Sequence, residues 1–176
     1  MEVTSILISE REINKRVNSL ARRISRDYAG KYIIVLCILN GAFMFASDLV
    51  KKIKVPLEID FISLSSYSGM ESSEEIVVDF TSRVSLKNKH VLIVEDIVDT
   101  GLTAKYLLEC IGDKQPASIK FCSLLDKPSR RKVDVKIDYI GFTIEDIFVV
   151  GYGMDYENEY RNLTNIHGCK GEIEWT

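Results

Sequence analysis

Three carboxylates, Glu95, Asp96 and Asp99, stand at the end of the apolar run Val91-Leu92-Ile93-Val94, and Thr100, Gly101, Leu102 and Thr103 follow at once. Acids at such a corner suit a metal ion or ribose hydroxyls, whereas hydroxyls and free backbone N–H groups suit a phosphate. Together they point to a sugar phosphate handled with a divalent metal. Magnesium fits this modest acidity, because it takes a few carboxylates alongside phosphate oxygens and water. Side chains alternate along a strand, so Glu95 and Asp96 are expected on opposite sides, free for two different tasks. Gly101 can adopt positive φ where a helix begins, and the first-turn N–H groups of that helix have no internal partner. Asp99 is the odd member. A carboxylate beside a phosphate repels it, so its presence points to a proton or hydroxyl handled nearby.

Plainer readings compete. Asp99 could simply cap the helix that follows. The string could also open a phospho-acceptor receiver domain, which starts with an apolar strand and paired acids. A receiver needs more chain after the string than remains here, and it leaves Thr100 to Thr103 without a purpose. The nucleoside-triphosphate loop GxxxxGK[ST] is absent.

The elements around this corner follow from hydrophobic spacing. Ile13, Val17, Leu20, Ile24 and Tyr28 recur at helical intervals, with Ser9 as N-cap, Glu12 three residues on and Gly30 as the stop. Tyr32 to Leu39 is apolar on both faces, as a central parallel strand should be. A helix over Ala42 to Ile53 ends in Lys51-Lys52, which complement its dipole. Strands are predicted at Leu57 to Leu64, Ile76 to Phe80, Val91 onward, Ile119 to Leu125, Tyr139 to Phe142 and Phe148 to Val150, with a helix over Leu102 to Ile111. Ser65 to Glu75 is small and polar without a core-facing period, and reads as a mobile loop at the tip of a long hairpin. Alternating strands and helices predict an α/β fold, a mainly parallel twisted sheet flanked by helices. Ligands then gather beyond the carboxyl ends of strands, at the loops after Leu39, Glu95 and Leu125.

The chain has 176 residues, 46% of them hydrophobic and 28% charged, which suits one α/β domain spanning 1–176. A net charge of −3 gives no electrostatic footprint for nucleic acid. The basic cluster Lys127 to Lys132 is too short for a nucleic-acid stripe and reads as a solvated loop or a contact to a small anion. Four cysteines without a CxxC pair argue against structural zinc and a disulfide framework; three sit in apolar segments, as buried free thiols do. Tyr32 to Ser47 carries no charge but falls below the roughly 20 residues that span a bilayer. With no signal peptide visible, the expectation is a cytoplasmic protein without membrane partners.

VLIVEDIVDTGLTA closely resembles the phosphoribosyl-pyrophosphate signature of type I phosphoribosyltransferases. SLLDKPSRR (Ser123 to Arg131) and DIFVVGYGMDYENEYRNL (Asp146 to Leu163) resemble the purine-binding region of bacterial hypoxanthine-guanine members of that family. The match in order and spacing runs from about Tyr32 to Leu163. It implies transfer of 5-phosphoribosyl from phosphoribosyl pyrophosphate to hypoxanthine or guanine, with magnesium on the pyrophosphate, in a homodimer or homotetramer. It also implies a small hood formed by the chain ends. By motif position, Glu95 and Asp96 would contact ribose hydroxyls and magnesium, Asp99 would take the proton on purine N7, and Thr100, Gly101, Leu102 and Thr103 would cradle the 5′-phosphate. Lys127 would donate to the exocyclic purine oxygen, favouring 6-oxopurines over adenine, whose amino group also donates. Phe148 would stack on the base and the Val149 backbone would meet its edge. Asp155 would stand near the base and a second magnesium. Arg161 would reach pyrophosphate, as would the loop of Asn40 and Gly41, with a non-proline cis peptide at Leu39–Asn40. Asn40 departs from the frequent lysine or arginine there, which removes one positive charge from the pyrophosphate loop. Ser66 and Tyr67 would belong to a lid over 65–75. A non-catalytic sensor of phosphoribosyl pyrophosphate is the rival class, and the presence of Asp99, Lys127 and Arg161 counts against it.

Overall fold

Ser9 closes the first strand, Glu2–Ile8 (β1), and opens the first helix, Glu10–Asp27 (α1). Its hydroxyl accepts from the Glu12 N–H at 3.4 Å, while its own N–H donates to Glu12 Oε2 at 2.9 Å, a reciprocal capping box. Ile13, Val17, Leu20, Ala21 and Ile24 form the buried stripe of α1, and the chain reverses at Gly30 with φ 75°. The computed structural model describes residues 2–68, 74–79 and 84–170.

Then follow Ile33–Leu39 (β2), Phe43–Val50 (α2), Leu57–Ser68 (β3), Glu74–Asp79 (β4), His90–Val98 (β5), Leu102–Gly112 (α3) and Ser118–Asp126 (β6). A 3₁₀ turn, Pro128–Arg130, leads to Tyr139–Thr143 (β7), Phe148–Val150 (β8) and Ile166–Lys170 (β9). The second helix is shorter than the spacing predicts, because the Lys52 and Ile53 N–H groups both turn back to the Leu49 carbonyl. The polar stretch after Leu64 is mostly paired strand: Ser65 lies opposite Val77 and Ser68 opposite Glu74. Ladder pairing satisfies backbone groups whatever the side-chain pattern, so this hairpin needs no core-facing period. Residues 69–73 of the expected loop, and Phe80, lie outside the described residues.

The main sheet runs β4-β3-β2-β5-β6-β7, with β4 its antiparallel edge and the other five strands parallel. From β2 the chain steps outward to β3, and from β5 it steps the other way to β6. The loops leaving β2 and β5 therefore diverge, and the crevice between them is the switch point where ligands of such sheets settle. Alternation splits the core in two. Ile33, Val35, Cys37, Leu92 and Val94 pack with α1 and α2, whereas Ile34, Leu36, Ile38, Val91 and Ile93 pack with α3. Burying a side chain of this size contributes about 1.5–3 kcal/mol, so the β2 and β5 scaffold is firmly held.

A second sheet, β1-β9-β8, is antiparallel and joins the two chain ends as a hood. Ile8, Val149, Tyr152, Met154 and Ile166 continue the core on the α1/α2 side, and the Tyr152 hydroxyl donates to Asp48 Oδ2 of α2 at 2.8 Å. Cys37, Cys122 and Cys169 are buried free thiols, and Cys110 on α3 is half-buried. No helix among the described residues is long and apolar enough to cross a membrane.

Candidate active site

The carboxyl end of β5 sends its acids to different clefts: Glu95 is almost fully buried beside the start of α3, and Asp96 opens under the hood. Strict alternation lapses here, because Ile97 packs with the α1/α2 core and Val98 with the α3 core. Burial pushes the Glu95 carboxyl well above the usual carboxylate range, and the neighbouring Asp96 charge pushes it further. Its Oε2 is buried without a hydrogen-bond partner. A buried acid left this way is costly unless a cation or donor joins it.

Two clefts meet at this strand end. The smaller, about 230 Å³, is lined by Glu95, Ile97, Val98, Asp99, Thr100, Gly101, Thr103 and Ala104. Gly101 is the N-cap of α3 with φ 85° and brings no side chain to the helix start. The capping reading of Asp99 is thus not what forms. The Leu102 N–H donates to the Thr100 hydroxyl at 3.4 Å, and the positive end of the helix dipole lies behind this first turn. A Cβ on residue 101 would lie 2.9 Å from both Arg131 Cδ and the Val133 carbonyl, so glycine is required on packing as well as conformation. Lys132 and Val133 donate to the Thr100 carbonyl at 2.9 and 3.3 Å and brace the loop from behind.

The larger cleft, about 330 Å³, lies under the hood and is walled by Asp96, Asp99, Lys127, Phe148, Val149 and Asp155 among others. Ile97 and Asp99 line both clefts. Lys127 is only 6% exposed, which overturns the solvated-loop reading for that residue, while Pro128 to Arg130 and Lys132 are exposed. The N–H of Lys127 donates to Val98 at 2.9 Å, tying the loop after β6 to the end of β5. Burial pushes the Lys127 ammonium below the usual lysine value, and Asp99 and Asp146 offset part of that. Phe148 meets Tyr156 edge-on at 6.0 Å between ring centroids, which fixes its ring as one wall. Arg130 and Asp146, which sequence reasoning did not place here, also line this cleft. Their only signal was a cation three residues after Lys127 and an acid two before Phe148.

The pyrophosphate-loop residues stand across the switch point. Leu39–Asn40 is a cis peptide, as the family resemblance implied. A Cβ on residue 41 would collide with the Asp96 carboxylate, so any larger residue there requires Asp96 to move, and one on Gly153 would collide with the Gly41 carbonyl. The Gly41 and Gly153 segments are thereby packed backbone against backbone, with the Asp96 carboxylate against the first of them. Arg161 is not on a surface helix; it is half-buried in a turn, donating to the Gly153 carbonyl at 2.8 Å and pairing with Asp155 at 2.7 Å. Ser66 and Tyr67 lie near the end of β3, opposite Ile76 and Glu75. Glu95, Asp96, Asp99 and the 100–103 loop, with Lys127, Phe148, Val149 and Asp155, are thus brought together at one crevice, with Gly41 against it.

Residues 4–157 match the family model described as phosphoribosyl transferase domain. The hypoxanthine phosphoribosyltransferase of Haemophilus influenzae is 44% identical over 162 residues, 90% of either chain. The hypoxanthine-guanine phosphoribosyltransferase of Bacillus subtilis is 43% identical over 173 residues, 98% of this chain and 96% of that one. Among solved structures, a hypoxanthine-guanine phosphoribosyltransferase from Bacillus anthracis with HEPES in its active site superposes with a TM-score of 0.91 at 44% identity, covering 96% of this chain and 100% of that one.

Proposed function

The chain belongs to the phosphoribosyltransferase family, and from that premise we propose that it is a cytoplasmic purine-salvage enzyme. It transfers the 5-phosphoribosyl group of phosphoribosyl pyrophosphate to hypoxanthine or guanine, giving IMP or GMP and pyrophosphate. One observation carries the residue assignment: a cleft suited to a phosphate and a cleft suited to a flat base share Asp99 as a common wall.

The 5′-phosphate lies on the first-turn amides of α3 and the hydroxyls of Thr100 and Thr103, with Gly101 and Leu102 supplying backbone. The base lies against Phe148 with its edge on the Val149 backbone. The Lys127 ammonium donates to the 6-oxo group. A donor there leaves adenine's amino group facing another donor, which discriminates against it. As the bond from ribose C1 to pyrophosphate breaks, a ring nitrogen of the base bonds to C1 and Asp99 accepts the proton the base gives up. Glu95 and Asp96 hold the ribose hydroxyls. Arg161 releases Asp155 for pyrophosphate, where its planar fork suits phosphate oxygens, and the Asn40-Gly41 backbone binds alongside.

No cluster of three metal-ligating side chains occurs among the described residues. The orphaned Glu95 oxygen and the adjoining Asp96 do suit a cation that completes its shell with substrate oxygens and water, as magnesium does. Glu95 and Asp96 would hold it, Asp155 would stand beside a second ion, and when bound they would neutralise charge on the leaving pyrophosphate. Ser66 and Tyr67 belong to a hairpin that closes over the transferring sugar and keeps water away. Homodimer or homotetramer assembly completes this reading, and exposed Phe43 and Phe61 supply apolar surface for it.

Pyrophosphate release measured with hypoxanthine, guanine, xanthine and adenine tests the assignment. Turnover with the first two and little with adenine is expected. Equal turnover with adenine, or none with any base, would sink it.

A further inference from the structure

Arg130 lies at the end of the 3₁₀ turn and spans the base cleft from side to side. Its Nε is 2.9 Å from Asp99 Oδ1, and its Nη1 donates to Asp146 Oδ2 at 3.3 Å. Asp99 comes from the loop leaving β5, and Asp146 from the loop entering β8, two residues before Phe148. One guanidinium therefore ties the proton-accepting side of the cleft to its stacking side.

Stability does not account for this arrangement. Arg130, Asp99 and Asp146 side chains are 43%, 35% and 53% exposed, and such pairs add little to stability once screening and side-chain ordering are counted. What the contact does fix is which oxygen of Asp99 is available. Oδ1 is buried and ion-paired with Arg130 Nε at 2.9 Å, a charge contact rather than an aligned hydrogen bond, so Oδ2 is left to receive a proton. A carboxylate free to rotate would offer either oxygen along many directions. Reaction rates fall steeply when a reacting group strays from its required geometry.

We propose that Arg130 is a positioning residue for the reaction, holding Asp99 by Oδ1 so that Oδ2 is presented to the purine proton, with Asp146 as the anchor that keeps Arg130 across the cleft. The proposal rests on the reading of Asp99 as the base. Arg130 takes no proton itself, and its guanidinium stays charged throughout.

A double-mutant cycle tests it, with Arg130→Met made alone and in an Asp99→Asn background, and thermal unfolding measured alongside. Arg130→Met should lower kcat by about tenfold, with the KM for phosphoribosyl pyrophosphate and the unfolding temperature little changed. Arg130→Lys should restore part of the loss, since an ammonium can still reach one oxygen. In the Asp99→Asn background, Arg130→Met should do nothing further. Lys136→Met removes the same charge from the same connection between β6 and β7 at an exposed site and should leave kcat unaltered; an equal loss there would overturn the proposal, because net charge alone would explain it. Full turnover in Asp99→Asn alone would show the base reading itself to be wrong. A slow Asp99→Asn enzyme, with Arg130→Met either fully active or equally damaging in both backgrounds, would keep the base and discard the role of Arg130.

Discussion

Asp99 illustrates how little a residue's type says before its neighbours are known. By type and position it could have capped α3, yet the cap is Gly101, and Asp99 instead faces both clefts and Arg130. Replacing it with asparagine keeps the shape and removes the proton acceptor. Turnover should then fall by roughly 100-fold to 10,000-fold, the usual span for a general base. Affinity for phosphoribosyl pyrophosphate, read by calorimetry, should change little, and an unaltered kcat would remove the base role. Glu95, Asp96 and the 100–103 loop were legible because strand alternation and helix-start chemistry are local rules. Lys127 was less so: alone it read as a solvated lysine, and only the resemblance put it in a base pocket. Arg130 and Asp146 were illegible, because their pairing joins residues 16 apart through no periodic pattern.

The elements that aim these side chains were mostly plain from spacing. The runs giving β2, β5, β6 and α1 came through within a few residues, since each carries its own hydrophobic signature. The loop at Gly41 shows what such signatures omit. A Cβ at Gly41 would meet the Asp96 carboxylate, and one at Gly153 would meet the Gly41 carbonyl, contacts made from distant parts of the chain. Gly41→Ala should force the loop or Asp96 aside, and a misplacement near 1 Å can cost roughly 100-fold in rate. That loss should appear in kcat/KM for phosphoribosyl pyrophosphate while circular dichroism stays unaltered; a fully active variant would show the loop to be free of Asp96. The β3–β4 hairpin makes a separate prediction. Phosphoribosyl pyrophosphate with magnesium should slow protease cleavage within 65–75, and equal cleavage with and without them would refute the lid.

For the whole molecule, the far edge of the main sheet is secured by a polar cluster away from the site. Tyr139 of β7 and Lys120 of β6 donate to Asp27 Oδ2 at the end of α1, at 2.9 and 3.3 Å. Burial raises the Asp27 carboxyl, but these bonds and the Lys120 charge outweigh it and hold the group below its ordinary value. A carboxylate so held adds stability above its unfolded pKa of about 3.9, and the gain is lost as pH falls through the lower folded value. Asp27→Asn should therefore lower unfolding free energy at pH 7 by on the order of 1 kcal/mol. Denaturant titration should find the gap between the two proteins narrowing as pH falls below about 3.9, and a gap independent of pH would contradict the linkage. β1 and β9 were not read from the residues themselves, although the family resemblance implied a hood of the chain ends. Neither EVTSILI nor IHGCK carries a strong pattern alone, and each is a strand chiefly because the other pairs with it. That pairing sets a schedule for synthesis. β1 is made early, but β9 is its bridge to β8, so the hood sheet cannot close until residues 166–170 have been added.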